Sequence, residues 1–136
     1  MRVTSPIQLR PMTPEDERFV ASSWFESFWK THCYQDGLHF KHYQPGMDAR
    51  IKALIKRAGV TVAFATVAPT EILGWVCTEG DCLHYVYVKA VYRRQGIARA
   101  LAGEGLTVYS HPSSRAGAKF LKALGLEYDP FRLERE

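Results

Sequence analysis

No apolar run in the sequence approaches the roughly 20 residues that a membrane-spanning helix needs. The opening MRVTSPIQLRPMTPEDE also lacks the apolar middle of a secretory signal. A soluble, cytoplasmic protein with no membrane partner is expected. Cysteine is scarce: Cys33, Cys77 and Cys82 are an odd number without C-x-x-C spacing, which argues against a disulfide framework and against a four-thiolate zinc site. Reduced thiols and no metal are expected. Glycine and proline, at 10 and 7 residues, are too few for a collagen-like or low-complexity chain. Charge of one sign is nowhere concentrated. The net charge is +4, but the basic residues are dispersed over Arg50, Lys52, Lys56, Arg57, Lys89, Arg93, Arg94, Arg99, Arg115, Lys119 and Lys122. That pattern would attract a compact anionic ligand, whereas it ranks nucleic acid last among partner classes.

What is present is core material. A chain of 136 residues that is 46% hydrophobic and 12% aromatic can close one hydrophobic core, so a single domain over residues 1–136 is expected. Ile7 to Arg10 reads as a strand. Thr13, Pro14 and the acids Glu15, Asp16 and Glu17 form a helix start, and Val20, Trp24 and Phe28 with Phe25 and Trp29 recur at helical spacing as far as about Lys30. The segment 31–46, with His32, Cys33, His39 and His42, reads as a connection, its histidines in no common metal-ligand spacing. A basic amphipathic helix follows from Met47 to Arg57. Val60 to Val67 and Ile72 to Thr78 read as strands around a turn at Pro69-Thr70, and Glu79-Gly80 as a hairpin turn into a strand from Cys82 to Val88. That register sets Cys77 opposite Cys82. Helices at 97–105 and 115–124 and strands at 106–109 and 126–133 complete an α/β (α+β) pattern of interleaved strands and helices.

The most informative stretch is LHYVYVKAVYRRQGIARAL, from Leu83 to Leu101. A strand ending at Val88 runs through Lys89 to Tyr92 into Arg93, Arg94, Gln95, Gly96, Ile97 and Ala98, which open a helix. Backbone N–H groups and the positive end of that helix converge on one point, the elements of a pyrophosphate site. No Gly-Lys-Ser/Thr and no G-x-G-x-x-G is present, so neither a Walker loop nor a dinucleotide fingerprint is.

This pattern resembles the GNAT N-acetyltransferase superfamily, whose acetyl-CoA motif is R/Q-x-x-G-x-G/A after a strand. Arg93, Gly96 and Ala98 occupy its three positions. Downstream, Ser114, Gly117 and the segment 120–126 resemble the second signature, N-x-x-A-x-x-x-Y-x-x-x-G-F, with Ser114 at the asparagine and Leu121 at the tyrosine that protonates the departing thiolate in many relatives. The resemblance implies a mostly antiparallel sheet of about six strands with about four helices, often assembled as a homodimer. It implies acetyl-CoA as cosubstrate, held by the backbone from Arg94 to Ala98, with Gln95 and Ile97 in that span, with Arg93, Arg94 and Arg99 attracting phosphates, Ser114 as a further contact, and Val86 to Val88 beside the pantetheine arm.

The implied reaction is acetyl transfer to a primary amine on a small molecule or a protein. An amine with a pKa near 10.4 must lose a proton before it can attack. Glu79, Asp81, His84 and His111 are the titratable groups nearest the relevant strand ends, and Tyr85 could replace the missing acid; among these, Glu79, His84 and Tyr85 are the catalytic candidates. The alternation of the strand puts Tyr85 and Tyr87 on one face and His84, Val86 and Val88 on the other. Trp24, Phe28, Tyr34, Phe40 and Tyr43 are candidates to line the acceptor surface. The alternative reading, prompted by Leu121 and Ser114, is a catalytically degenerate member that binds CoA or a protein partner.

Overall fold

The computed structural model describes residues 1–33, 37–111 and 115–134, with backbone only at 32–33 and 115–116. Ser114 and Tyr34 lie outside the described residues. Strands β1 (Ile7–Pro11), β2 (Gly59–Ala65), β3 (Ala68–Glu79), β4 (Cys82–Val88), β5 (Val108–Tyr109) and β6 (Glu127–Tyr128) form one sheet in the order of the chain. The pairings from β1 to β4 are antiparallel, and those of β4 with β5 and β5 with β6 are parallel. Helices α1 (Glu17–Phe28), α2 (Phe40–Arg57), α3 (Ile97–Ala102) and α4 (Arg115–Ala123) pack on this sheet. The mixed, mostly antiparallel sheet with its helices matches the expected fold class.

Asp16 organises the entry to α1. Its carboxylate accepts from the Thr13 N–H at 2.8 Å and from Arg10 at 2.6 and 3.1 Å. Because the Arg10 guanidinium bonds it directly, Asp16 titrates low, at about 2. The aromatic stripe of α1 then buries Val20, Trp24 and Phe28 against the sheet. After Phe28 the chain widens into a π-helical turn, Trp29–Cys33, instead of continuing as α-helix to Lys30.

Several sequence expectations need correction. Helix α2 begins at Phe40, not Met47. His39 caps it by accepting the Lys41 N–H on Nδ1, and the buried Tyr43 and Met47 anchor its first turns. Pro45 lies inside the helix, where the Lys41 carbonyl it leaves without an N–H belongs to an exposed residue open to water. The turn between β2 and β3 is at Thr66–Val67, and the exposed Pro69 lies within β3. Helix α3 stops at Ala102, and the last strand ends at Tyr128 before a short 3₁₀ turn, Pro130–Leu133.

Two irregularities shape the centre of the sheet. On β3, Gly74 pairs with Val88, and a Cβ there would stand 2.5 Å from the Tyr87 carbonyl oxygen, so only glycine lets β4 approach this closely. On β4, Cys77 faces Tyr85 while the next residue, Thr78, faces Leu83, which makes His84 the extra residue of a β-bulge. The hairpin turn is Gly80–Asp81, not Glu79–Gly80, and that one-residue shift overturns the expected pairing of Cys77 with Cys82, which instead faces Glu79. The bulge removes His84 from the face of Val86 and Val88. Those two pack with the aliphatic core, whereas Tyr85 and Tyr87 join the aromatic one as expected.

Candidate active site

Beyond Leu83 the sheet splays open. Pairing of β4 with β5 covers Cys82 and Leu83, and the last bond across it runs from the Ser110 N–H to the Leu83 carbonyl at 3.1 Å. A cleft of about 630 Å³ opens there between β4, the head of α3 and α4, with Ser27 and Thr31 of the α1 region at its far wall. The Lys89 N–H is donated to Leu73 on the β3 side. Successive residues of a strand direct their backbone groups to opposite edges, so the N–H groups of Val86 and Val88 point to the cleft edge.

The floor of the cleft at its α3 end is the turn after β4. Lys89 leads into a 3₁₀ turn, Ala90–Tyr92, tied to β3 by the Tyr92 hydroxyl on Glu71 at 2.7 Å. Arg94 then adopts φ 63 and Gly96 φ 82, both left-handed. For arginine that conformation costs roughly 1–2 kcal/mol. Such turns aim successive N–H groups into one concavity, and the first N–H groups of α3, from Ile97 onward, have no intrahelical acceptor. A Cβ on Gly96 would meet no protein atom within 4 Å. Glycine is therefore required by its backbone angle, and the space beyond it is open.

The candidate cofactor residues divide clearly. Val86, Val88, Arg93, Arg94, Gly96, Ile97, Ala98 and Arg99 all line the cleft. Arg93 also uses its Nε to hold the Val88 carbonyl at 2.9 Å, so part of its guanidinium pins the turn to the strand. Gln95 does not line the cleft. Its side chain accepts the Val3 N–H at 2.7 Å and donates to the Met1 carbonyl, joining the turn to the start of the chain.

Of the catalytic candidates, His84 and Tyr85 line the cleft along β4, and the partly exposed Glu79 does not. Arg57 grips Glu79 through Nε and Nη2 at 2.9 and 3.0 Å, and Glu79 reaches His84 Nε2 at 2.9 Å. Burial opposes the charge on Glu79, but the bonds from Arg57 and His84 outweigh it and hold its carboxyl below the usual range. His84 is pushed down by burial, more strongly than Glu79 raises it, and stays neutral at pH 7. Its side chain has no exposure and its Nδ1 bonds Ser110 Oγ at 2.6 Å, so His84 is placed to position neighbours, not to meet an acceptor. Tyr85 lines the cleft, stacks on Trp24 at 5.4 Å and bonds Ser27 Oγ at 2.7 Å. Burial raises its pKa, so it remains protonated at neutral pH. Of the proposed acceptor lining, Trp24, Phe28 and Tyr43 are core residues and Phe40 is exposed on α2.

No protein-family model and no curated protein matches the sequence. Solved structures do match the fold. A GCN5-related N-acetyltransferase from Rhodopseudomonas palustris superposes with a TM-score of 0.59 at 21% identity, over 90% of this chain and 82% of the other. One from Ralstonia eutropha gives 0.62 at 15% identity, over 88% and 92%. The aminoglycoside N-acetyltransferase AAC(6')-Iy in complex with CoA gives 0.54 at 16% identity, over 91% and 90%. The fold is that of the GCN5-related N-acetyltransferases.

Within this GNAT fold, the splay of β4 from β5 and the left-handed turn at the head of α3 belong to one continuous cleft. Leu121, at the position where the motif has tyrosine, is buried and lines that cleft without a group that can donate a proton. Sequence reading missed Ser110, Arg57 and Ser27. Ser110 and His111 follow β5 directly, a signal that was available, whereas Arg57 resembled any solvated residue at a helix end. Among the described residues no helix is long and apolar enough to cross a membrane and no acidic, histidine or cysteine group could hold a metal ion.

Proposed function

We propose that this chain is an acetyl-CoA-dependent N-acetyltransferase acting on a primary amine. The observation that carries the reading is the turn with Arg94 and Gly96 both left-handed, which opens on a cleft continuous with the unpaired edge of β4. The residues fit the cosubstrate. N–H groups from Arg94 to Ala98 form an anion cradle, Arg94 and Arg99 add charge, and the N–H groups of Val86 and Val88 offer main-chain bonds to an extended amide-bearing arm. Acetyl-CoA supplies, when bound, a thioester whose carbonyl carbon is open to an amine. The chain's part is to hold that arm in line, to accept a proton from the amine and to keep water from the reacting atoms. Tyr85, protonated and in the cleft, is the side chain with a hydroxyl suited to donate a proton in place of Leu121.

The test is a calorimetric titration with acetyl-CoA and CoA. The wild type should bind both, and Gly96→Asp, which forces a Cβ into the left-handed position and adds negative charge to the cradle, should weaken binding at least about 10-fold, a loss near 1.4 kcal/mol. Equal affinity in the two proteins would sink the assignment. The buried Leu121 supports one second reading, a GNAT-fold module that binds CoA without turnover. CoA binding with no acetyl transfer to any of a broad panel of amines, protein lysines included, would favour that module.

A further inference from the structure

The turn that carries the anion cradle is held from three directions. On the strand side, the Tyr92 hydroxyl donates to Glu71 at 2.7 Å and Arg93 Nε to the Val88 carbonyl at 2.9 Å. On the helix side, the Ala100 N–H donates to the Gly96 carbonyl at 3.0 Å. Between them stands Gln95, flanked by the left-handed Arg94 and Gly96. Its side chain does not line the cleft and meets residues 1–3 instead. Oε1 accepts the Val3 N–H at 2.7 Å, and Nε2 donates to the Met1 carbonyl at 2.5 Å. The two partners fix which way the amide points, because a backbone N–H can only donate and a carbonyl can only accept. The Met1 nitrogen in turn donates to the Val91 carbonyl at 2.6 Å. This strap is itself anchored: Val3 packs against the aliphatic core, and the Pro6 carbonyl accepts from the N–H and the Oγ1 of Thr66, each at 3.0 Å.

We propose that Gln95 is a positioning residue for the cosubstrate, tying the strap of residues 1–6 to the turn so that Arg94 and Gly96 keep the left-handed geometry that opens the cradle. This rests on the N-acetyltransferase reading and deepens it. The need for a tie follows from Arg94. Left-handed backbone is disfavoured for an arginine, so the local chain left to itself populates other conformations. Such a conformation persists where the surroundings over-determine it. The bonds of Gln95 join residues 92 and 94 positions apart, so local turn chemistry does not supply them. They act on the residue between the strained arginine and the glycine, from the side opposite to the ties of Tyr92 and Arg93 along the chain. The consequence for binding is one of population: a cradle formed for a fraction of the time binds with an affinity reduced by that fraction. Because its side chain lies outside the cleft, Gln95 acts on cosubstrate binding and not on the transfer step.

Two variants approach the tie from its two ends. Gln95→Met keeps the length of the side chain and removes both bonds, and Val3→Pro removes the N–H on the strap and leaves the turn untouched. The first measurement needs no ligand. By nitrogen relaxation NMR on the full chain, backbone order parameters from Arg94 to Ala98 should stand near the rigid value of about 0.85 in the wild type and fall toward about 0.6 in either variant. By calorimetry, CoA affinity should fall about 5-fold in Gln95→Met, as for a cradle formed about a fifth of the time, and by less in Val3→Pro, which leaves the Met1 bond. The double variant should bind no more weakly than Gln95→Met alone, because both changes act on one tie. In turnover the loss should appear in KM for acetyl-CoA and not in kcat. Gln95→Met equal to the wild type in affinity and order parameters overturns the proposal, even with a lowered urea midpoint, since that is the result of a role in folding alone. Additive losses in the double variant overturn it as well. Failure of the wild type to bind CoA overturns the function instead, while the order parameters still decide whether the strap holds the turn.

Discussion

The two faces of the sheet are packed by different chemistry. Under α1 and α2, Trp24, Phe28, Tyr43 and Trp75 are buried together with the partly buried Tyr85 and Tyr87. Ring centroids stand 5.3 Å apart for Trp24 and Trp75 and 5.4 Å for Trp24 and Tyr85. Hydrogen bonds fix their orientation: Trp75 Nε1 donates to Ser23 Oγ at 2.8 Å, and the Tyr43 hydroxyl donates to the Phe25 carbonyl. Under α3 and α4 the core is mostly aliphatic, built from Leu73, Val76, Leu83, Val88, Ile97, Leu101, Leu121 and Leu126. Those helices are short, and the cleft opens between them and β4. The aromatic face is a directional wall that holds Tyr85 and His111 at fixed angles, while the aliphatic face is a thin layer around an opening.

The comparison breaks if the two faces tolerate cavities equally. Trp75→Ala removes a fully buried ring and leaves the buried Ser23 hydroxyl without its donor, so it should cost about 4 kcal/mol in urea unfolding. Leu101→Ala, on a short helix beside the cleft that can settle into the gap, should cost about 2–3 kcal/mol and also weaken CoA binding by shifting the cradle. Equal losses, or a larger one at Leu101, would contradict the division.

A second difference concerns how each face is entered. Helix α1 starts on an ion pair and α3 on a strained turn. Asp16 titrates at about 2 in the folded chain against an ordinary 3.8, so its stabilisation is present above the ordinary value and disappears as pH falls toward 2. The urea midpoint should therefore fall across that window by an amount worth about 2 kcal/mol, and Asp16→Asn should flatten the fall. A wild-type midpoint that stays constant over the same range would show that Arg10 and Asp16 do not pair in solution.

The sequence was legible where local rules acted alone. Strand β4 is read residue for residue at Cys82–Val88, because its apolar and aromatic residues stand between a turn and the basic segment. The turn with Arg93, Gly96 and Ala98 is found because a strand, a glycine-bearing turn and a helix start together resemble a known motif, whereas the left-handed angles of Arg94 and Gly96 are seen only in the fold. Three things were not legible. The bulge at His84 depends on how β3 and β4 settle against each other around Gly74, and it redirects side chains that strict alternation assigns elsewhere. The grip of Arg57 on Glu79 joins residues 22 apart on different elements, so no spacing announces it. Helix α2 begins inside a segment that reads as a connection because it is polar and rich in turn residues, although the buried Tyr43 and Met47 outweigh the one bond that Pro45 removes.

The smallest expected effect isolates the strained entry of α3. Arg94 is the described residue other than glycine with positive φ, and its exposed side chain faces the cleft. Arg94→Gly relieves roughly 1–2 kcal/mol of left-handed strain but makes the unfolded chain more flexible by roughly 0.4–1 kcal/mol, so stability should rise by no more than about 1.6 kcal/mol. Affinity for CoA should nevertheless fall several-fold, and more at low salt than at high salt, because a phosphate-facing guanidinium acts through a field that ions screen. Arg94→Lys, which keeps the charge and the strain, should recover most of the affinity. If Arg94→Gly binds as tightly as the wild type at every salt concentration, the side chain contributes nothing to the anion site and the strain serves only to aim the backbone N–H groups.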